Sequence, residues 1–456
     1  MEKGRIKLYT CGPTVYHYAH LGNLRAFVFY DVLKRTLIKA GYDVMHVMNI
    51  TDVGHLTDDA DYGQDKLEKG AKREGKSVWE VAEFFTKEFL RDAELLNILP
   101  PSHQPRATEF IKEQIEMVKV LESRGYTYLT DRGVVFDTSK FHRYLELSKM
   151  PMDKLCEGAR VEYDKQKRNP TDFYLWKFSN PDEKRQMEWD SPWGVGFPGW
   201  HIECSAMAKA YLGDTIDIHC GGIDHIAVHH TNEIAQSEAA NGVQFSRYWM
   251  HNNFLTVDAG LKMAKSAENF LRMQTILDKG FHPLSYRYMC LTAHYRGELL
   301  FGWHHLHPAQ HTLRRLKQFL FGKENLNIYD LSDSEWMRRF QEAMEEDLDT
   351  PRALAIMHEM LSLSESSEIK VSHLIKMDDW LGLGFAQDIK KTTYLSENEM
   401  RNIFIDGCSL FDLASRRNSS RGEKNWRVSD SIRDQIGKAG YEVEDNPAGM
   451  LIKRSF

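Results

Sequence analysis

The chain has 456 residues, room for about three domains at ~150 residues each. Hydrophobic residues make up 42% and charged residues 27%, which excludes whole-chain disorder, collagen-like repeats and a small disulfide scaffold. With 59 basic against 66 acidic side chains the formal net charge is -7, so a nucleic acid would have to meet a local basic surface. No apolar run approaches the ~18 residues of a membrane span, and Met1 to Thr10 lacks a secretory hydrophobic region. The expectation is a soluble, cytoplasmic protein with no membrane partner. Its six cysteines (Cys11, Cys156, Cys204, Cys220, Cys290, Cys408) are scattered, so one that matters should be a ligand or nucleophile in a reducing compartment.

In chain order, Arg5 to Thr10 reads as a strand, and Cys11-Gly12-Pro13 turns it. Leu24, Phe27, Val28, Val32 and Leu37 recur at helical spacing, predicting a helix from about Gly22 to Ala40 that Gly41 stops. Val44 to Ile50 is a continuous apolar run, as expected of a strand buried on both faces. Strand, helix and strand with short connections make a right-handed crossover, the start of a doubly wound sheet. From about Pro100 the pattern changes. A junction with Pro100, Pro101 and Pro105 leads to a helix around Glu109 to Arg124 and then to mixed short segments up to Asp190, read as an insertion. A strand at Thr215 to His219 and a helix from about Val228 to Asn241 resume the α/β pattern. After Trp303 the chain is helical and polar until Tyr441 to Lys453. Asp412 to Arg427 holds five basic residues (Arg416, Arg417, Arg421, Lys424, Arg427) and two acidic ones.

Three groups of residues have chemical potential. His20-Leu21-Gly22-Asn23 stands between a strand and a helix, where free N–H groups and the positive dipole end meet phosphate. An ordinary turn and helix cap would look the same. Lys262-Met263-Ala264-Lys265-Ser266 offers two lysines that could hold a departing polyphosphate. Alone, that spacing usually means solvated surface. His229 and Glu233 are four residues apart on a helix and share a face. With Cys11 and Cys204 they could form a zinc site. Against this, separated cysteines are often buried hydrophobes, and His219, His225 and His230 compete for the histidine position.

The three groups occur together, in an order that resembles cysteinyl-tRNA synthetase, a class I aminoacyl-tRNA synthetase family. Matching stretches are TCGPTVY (Thr10 to Tyr16), HLGN (His20 to Asn23), NITD (Asn49 to Asp52), KRNPTDFYLWK (Lys167 to Lys177) and WDSPWG (Trp189 to Gly194). PGWHIECSAM (Pro198 to Met207), HHTNEIAQS (His229 to Ser237), KMAKS (Lys262 to Ser266) and HYR (His294 to Arg296) continue the series. Weaker similarity runs through EDLDTPRAL (Glu346 to Leu354) and SDSIRDQI (Ser429 to Ile436), so the resemblance spans essentially the whole chain.

The resemblance implies an α/β fold: a Rossmann-like doubly wound parallel catalytic sheet (1–100 and 191–250), split by an inserted domain (101–190) that holds the tRNA acceptor end. A connecting module with the lysine loop (251–302), a helical anticodon-binding bundle (303–400) and a small C-terminal α/β segment (401–456) follow. It implies Zn2+ held by Cys11, Cys204, His229 and Glu233, and it selects His229 over His230. It places Thr51 and Trp200 at the cysteine pocket, and Gly12, His20, Gly22, Asn23 and Lys265 at ATP. His20, Lys262 and Lys265 would be catalytic. The implied reaction activates L-cysteine with ATP and Mg2+, then transfers it to tRNA(Cys). Arg416, Arg417 and Arg421 are expected on the tRNA surface, and a monomer is expected.

Four features depart from the family pattern. Asn23 stands where a second histidine is usual, and Ala264 replaces a serine of the lysine loop. The glycine-rich segment before His229 is altered, with Cys220 for a glycine and Ile223-Asp224-His225-Ile226-Ala227-Val228 leading to the histidine pair. The chain also begins almost at its first strand, without the family's lead-in. Alternatives are the cysteine ligase of mycothiol synthesis, which shares the catalytic domain, a paralogue without catalysis, and a structural zinc protein.

Overall fold

The structure is a computed structural model. It describes residues 2–53, 66–149, 165–180, 185–257, 261–262, 270–320, 323, 326–386, 395, 397–446 and 449–454.

The first strand, β1 (Arg5–Thr10), the helix α1 (Leu21–Lys39) and β2 (Asp43–Met48) form the expected crossover. β1 and β2 pair in parallel, with Leu8 opposite His46. β2 stops at Met48, and Ile50 and Thr51 make isolated bridges to Arg106 and Thr14 instead of extending the strand. Gly41, at φ +87, takes the left-handed conformation that ends α1.

An antiparallel sheet follows: β3 (Thr127–Thr130), β4 (Gly133–Phe136), β5 (Phe173–Phe178) and β6 (Gly196–Pro198), in that spatial order. It runs past the expected limit at residue 190, because Gly196–Pro198 pairs with Trp176–Phe178. The helix before it begins as a single 3-10 turn, Ala107–Phe110, and becomes α-helical over Ile111–Ser123. This inserted unit does not stand apart. Val134, Phe136, Leu175 and Trp176 share a core with Ile202, Ala235 and Ala239, which belong to the two helices that supply the site described below.

The chain then returns to the first sheet with β7 (Ile216–Gly222) and β8 (Ser246–Asn252), giving the all-parallel order β2-β1-β7-β8. Since β1 feeds β2 on one side and β7 lies on the other, the crevice at their carboxyl ends is the switch point where such sheets bind ligands. Cys11 continues β1 there, its N–H donating to the Cys220 carbonyl at 3.0 Å.

Beyond β8, three short strands, β9 (Leu255–Val257), β10 (Leu261–Lys262) and β11 (Leu299–Phe301), form a small sheet, with the helix Pro283–Leu291 between β10 and β11. Four helices, Trp303–Leu320, Glu335–Glu345, Thr350–Ser362 and Ser367–Leu381, make up the bundle. A buried charge cluster ties it to α1. Asp31 of α1 accepts from Arg287 and Arg35, while Arg287 also donates to the carbonyls of Leu381 and Leu96.

The last unit holds a minimal hairpin, β12 (Phe404–Ile405) and β13 (Cys408–Ser409), two helices, Leu410–Gly422 and Trp426–Lys438, and the hairpin β14 (Tyr441–Asn446) with β15 (Gly449–Arg454). Leu410, Leu413, Ile432, Ile436, Val443 and Ile452 form its separate core. Among the described residues no helix is long and apolar enough to cross a membrane.

Candidate functional site

At the carboxyl ends of β1 and β7 opens a cavity of about 380 Å³. Gly12, His20, Gly22, Asn23, Thr51, Trp200, Cys204 and His229 all line it, so residues spread over more than 200 positions converge on one space.

One end of the cavity is the start of α1. His20 is its N-cap: Nδ1 accepts from the Asn23 N–H at 3.0 Å, and Asn23 Oδ1 accepts from the His20 N–H at 3.2 Å. Asn23, the departure from the usual second histidine, thus closes a reciprocal capping box. No acidic side chain occupies the first turn, so the positive end of the dipole is left for an anion from outside. A Cβ on Gly22 would stand 3.0 Å from the His20 ring, and one on Gly12 would stand 1.6 Å from the Asn49 carbonyl oxygen. Glycine is a steric requirement at Gly12. Its N–H donates to Asn49 Oδ1 at 2.9 Å, and Asn49 Nδ2 donates to Thr51 Oγ1 at 2.9 Å, which fixes Thr51 in the wall.

The other end is a donor cluster. Cys11, Cys204, His229 and Glu233 are buried and each offers an atom within 4.8 Å of the others. Cys11 follows β1; Cys204 lies on the helix Trp200–Leu212, and His229 and Glu233 share a face of the helix His229–Asn241. In a tetrahedral site with sulfur and nitrogen ligands, donors stand roughly 3.3–3.8 Å apart, so small side-chain adjustments suffice to close these four on one ion. Their electrostatics point the same way. Burial raises the Cys11 thiol, and the neighbouring Cys11 thiol together with burial raises that of Cys204. Burial opposes charge on Glu233, yet His219 and His229 hold its carboxyl below the usual range. Burial likewise opposes the His229 imidazolium, and the Glu233 carboxylate pushes it up to about 10. A buried carboxylate between two imidazoles, facing two thiols that resist ionisation without a cation, fits a metal ion.

The competing histidines take different partners. His229 Nε2 lies 3.2 Å from Glu233 Oε1, and its Nδ1 lies 2.9 Å from His201 Nδ1. His230 turns the other way, with Nε2 3.3 Å from Cys11 Sγ and Nδ1 2.8 Å from His251 Nε2. His219 stands behind Glu233 at 2.8 Å, and His225 stays at the cavity wall. A second triad, Cys11, His219 and His230, also lies within ligand range. Trp200 stacks on His229, with ring centroids 4.5 Å apart.

Sequence reasoning missed His201, His251 and the role of Asn23 as a cap. His201 was within reach: it lies three residues before Cys204 on the same helix, on the face that must meet His229. Of the lysine loop, Lys262 is backbone-paired to Thr256 in β10, and Lys265 lies outside the described residues. The three arginines separate. Arg417 is buried and bidentate to Asp445, at 2.7 and 2.8 Å; Arg421 reaches the same carboxylate at 3.1 Å, and Arg416 is exposed.

Residues 1–311 match the family model for the tRNA synthetase class I (C) catalytic domain, and residues 339–365 match the DALR domain. The Cysteine--tRNA ligase 1 of Burkholderia lata is 47% identical over 453 residues, spanning 99% of this chain and 93% of that protein. The Cysteine--tRNA ligase of Treponema denticola is 44% identical over 478 residues, spanning 100% of this chain and 96% of that protein. Among solved structures, the Mycobacterium tuberculosis methionyl-tRNA synthetase in complex with methionyl-adenylate superposes with a TM-score of 0.56 at 14% identity, over 84% of this chain and 91% of that chain. The ternary complex of Agrobacterium radiobacter K84 agnB2 LeuRS with tRNA and LeuAMS gives a TM-score of 0.61 at 11% identity, over 86% of this chain and 85% of that chain. The last two establish the fold only. The full-length matches disfavour both a sugar-directed cysteine ligase and a structural zinc protein.

Proposed function

This chain belongs to the cysteine–tRNA ligases of the class I tRNA synthetases, and we propose that its cavity activates L-cysteine with ATP, with zinc as the reader of the substrate thiol. The observation that supports the reading is the joining of two unlike ends in one cavity: soft metal donors at one, an anion-ready helix start at the other.

Cys11, Cys204, His229 and Glu233 would hold the ion, and two sulfurs with one nitrogen favour zinc over magnesium. When bound, zinc supplies a soft Lewis acid that accepts the substrate's thiolate. A serine hydroxyl is a poor ligand there near neutral pH, and losing on the order of 4 kcal/mol of ligation corresponds to ~10³-fold discrimination. Trp200 and Thr51 then wall the amino acid, leaving its carboxylate directed toward the α1 end.

At that end the substrate carboxylate oxygen attacks the α-phosphorus of ATP. A mixed anhydride forms and pyrophosphate leaves with Mg2+. Gly12 and Gly22 let the nucleotide approach the backbone, and the positive end of the α1 dipole favours its phosphates. His20 uses Nδ1 for the cap, and its ring lines the cavity beside the phosphates, where it would stabilise the charge that builds on them. Asn23 holds that ring in place. Lys262 and Lys265 supply the remaining positive charge on the departing pyrophosphate. A ribose hydroxyl of the terminal adenosine of tRNA(Cys) then attacks the anhydride carbonyl, and AMP leaves.

Charging of purified tRNA(Cys) with labelled cysteine tests the proposal. ATP-dependent charging that is lost on zinc removal and regained on zinc return is expected. Charging with serine at a comparable rate would overturn the thiol-reading role.

A further inference from the structure

Arg25 sits one turn into α1, is only 3% exposed and does not line the cavity. Every hydrogen bond it makes among the described residues goes to a main-chain carbonyl. Nη1 donates to Asn253 at 2.9 Å and to Phe254; Nη2 donates to Gly297 at 2.6 Å and to His294 at 3.4 Å. The two segments it reaches are themselves joined. The Asn253 N–H donates to the Tyr295 carbonyl at 2.8 Å, Asn253 Nδ2 to the Arg296 carbonyl at 2.9 Å, and the Leu299 N–H to the Phe254 carbonyl at 3.0 Å. The planar fork of Arg25 thus fastens one braid of two segments onto α1. Burial disfavours the charge that does this, so packing alone would be better met by an apolar side chain.

The braid leads straight to the lysine loop. Asn253, Phe254 and Leu255 line the cavity together with His20, Gly22 and Asn23. A Cβ on Gly22 would stand 3.8 Å from that of Leu255, so the start of α1 lies against the start of β9. Thr256 of β9 pairs with Lys262 of β10, where the loop departs. On its far side the Leu21 N–H, at the first residue of α1, donates to the Leu271 carbonyl at 2.8 Å. Both ends of the loop are therefore tied to the helix that carries the phosphate end of the cavity. We propose that Arg25 is a positioning residue for activation, holding the base of the lysine loop in register with the first turn of α1 so that the lysines and His20 act on the same phosphates. The inference rests on the activation chemistry proposed above. Charge stabilisation of this kind depends on placement, and a misplacement of ~1 Å can cost on the order of 10²-fold in rate.

The test uses two variants of the full chain. Arg25→Lys keeps the charge and loses the planar fork, and Arg25→Gln removes the buried charge, so that folding is not staked on one substitution. In cysteine-dependent pyrophosphate exchange, kcat is expected to fall about 10- to 100-fold while the cysteine KM and the metal content hold. The same substitutions are then made in a Lys265→Ala background. Most of the cost should vanish there, leaving less than about 5-fold, because a loop without that lysine gains little from being placed. Equal losses in both backgrounds overturn the proposal and leave Arg25 a packing residue, as does an unchanged kcat or a failure of both variants to fold. Failure of the underlying reading looks different: the wild type itself would catalyse no cysteine-dependent exchange.

Discussion

His201 and His229 face each other Nδ1 to Nδ1 at 2.9 Å, both buried, and this contact leaves Nε2 of His229 aimed at Glu233. One ring therefore orients the other, and the ligand role of His229 depends on a residue outside the donor cluster. His201→Ala is expected to weaken metal binding by about 10- to 100-fold and to raise the cysteine KM while ATP binding holds. Metal titration against a chelator checks it. Full affinity in the variant would show that His201 only packs.

Gly12→Ala should be far more damaging than its size suggests. The new methyl would meet the Asn49 carbonyl oxygen at 1.6 Å, and two backbones cannot both stay where they are. A loss of about 1–3 kcal/mol or more is expected, with activation lost because Asn49 also fixes Thr51. The denaturant midpoint and cysteine-dependent pyrophosphate exchange read the two effects separately. A variant with normal stability would mean that the Gly12–Asn49 approach is looser than described.

The C-terminal arginines should divide by function. Arg417 is buried against Asp445, so Arg417→Ala is expected to lower the stability of the last unit by about 1–3 kcal/mol. Arg416 is exposed, and Arg416→Ala should instead weaken tRNA binding and reduce the salt slope by about one. Thermal melts and binding at several salt concentrations distinguish them. Equal effects of the two variants on stability would contradict the division.

His46 predicts an acid weakness. Burial, then nearby Lys34, lowers its pKa to about 3; its Nε2 meets Thr10 Oγ1 at 2.9 Å. Between about 3 and the unfolded value of 6.5 the unfolded chain binds a proton that the folded chain refuses, so stability falls as pH falls through that window. Relative to His46→Gln, the wild type should lose about 2 kcal/mol between pH 7 and pH 5. Parallel stability curves for the two proteins would refute the assignment.

Much of this was legible in the sequence because it is local. The apolar spacing of Leu24, Phe27, Val28 and Val32 fixes α1, which runs Leu21–Lys39, and Gly41 marks its end. His229 and Glu233 could be paired from helical spacing alone, and the family pattern chose between His229 and His230. What escaped was set by tertiary packing. Asp31 and Arg287 are 256 residues apart, and nothing near either announces the other. The strand Gly196–Pro198 is too short and too rich in Gly and Pro to read as one; it forms because β5 offers an open edge. Arg417 looked like a member of a basic run and is instead half of a buried ion pair. Its partner, Asp445, lies 28 residues away in a hairpin.

Zinc held by Cys11, Cys204, His229 and Glu233 and reading the substrate sulfur would gain a ligand when cysteine binds, a change that X-ray absorption at the zinc edge counts. Zinc-loaded protein should show two sulfur ligands alone and three after L-cysteine is added, with no change on adding L-serine. A sulfur count that stays at two with saturating cysteine would contradict the account.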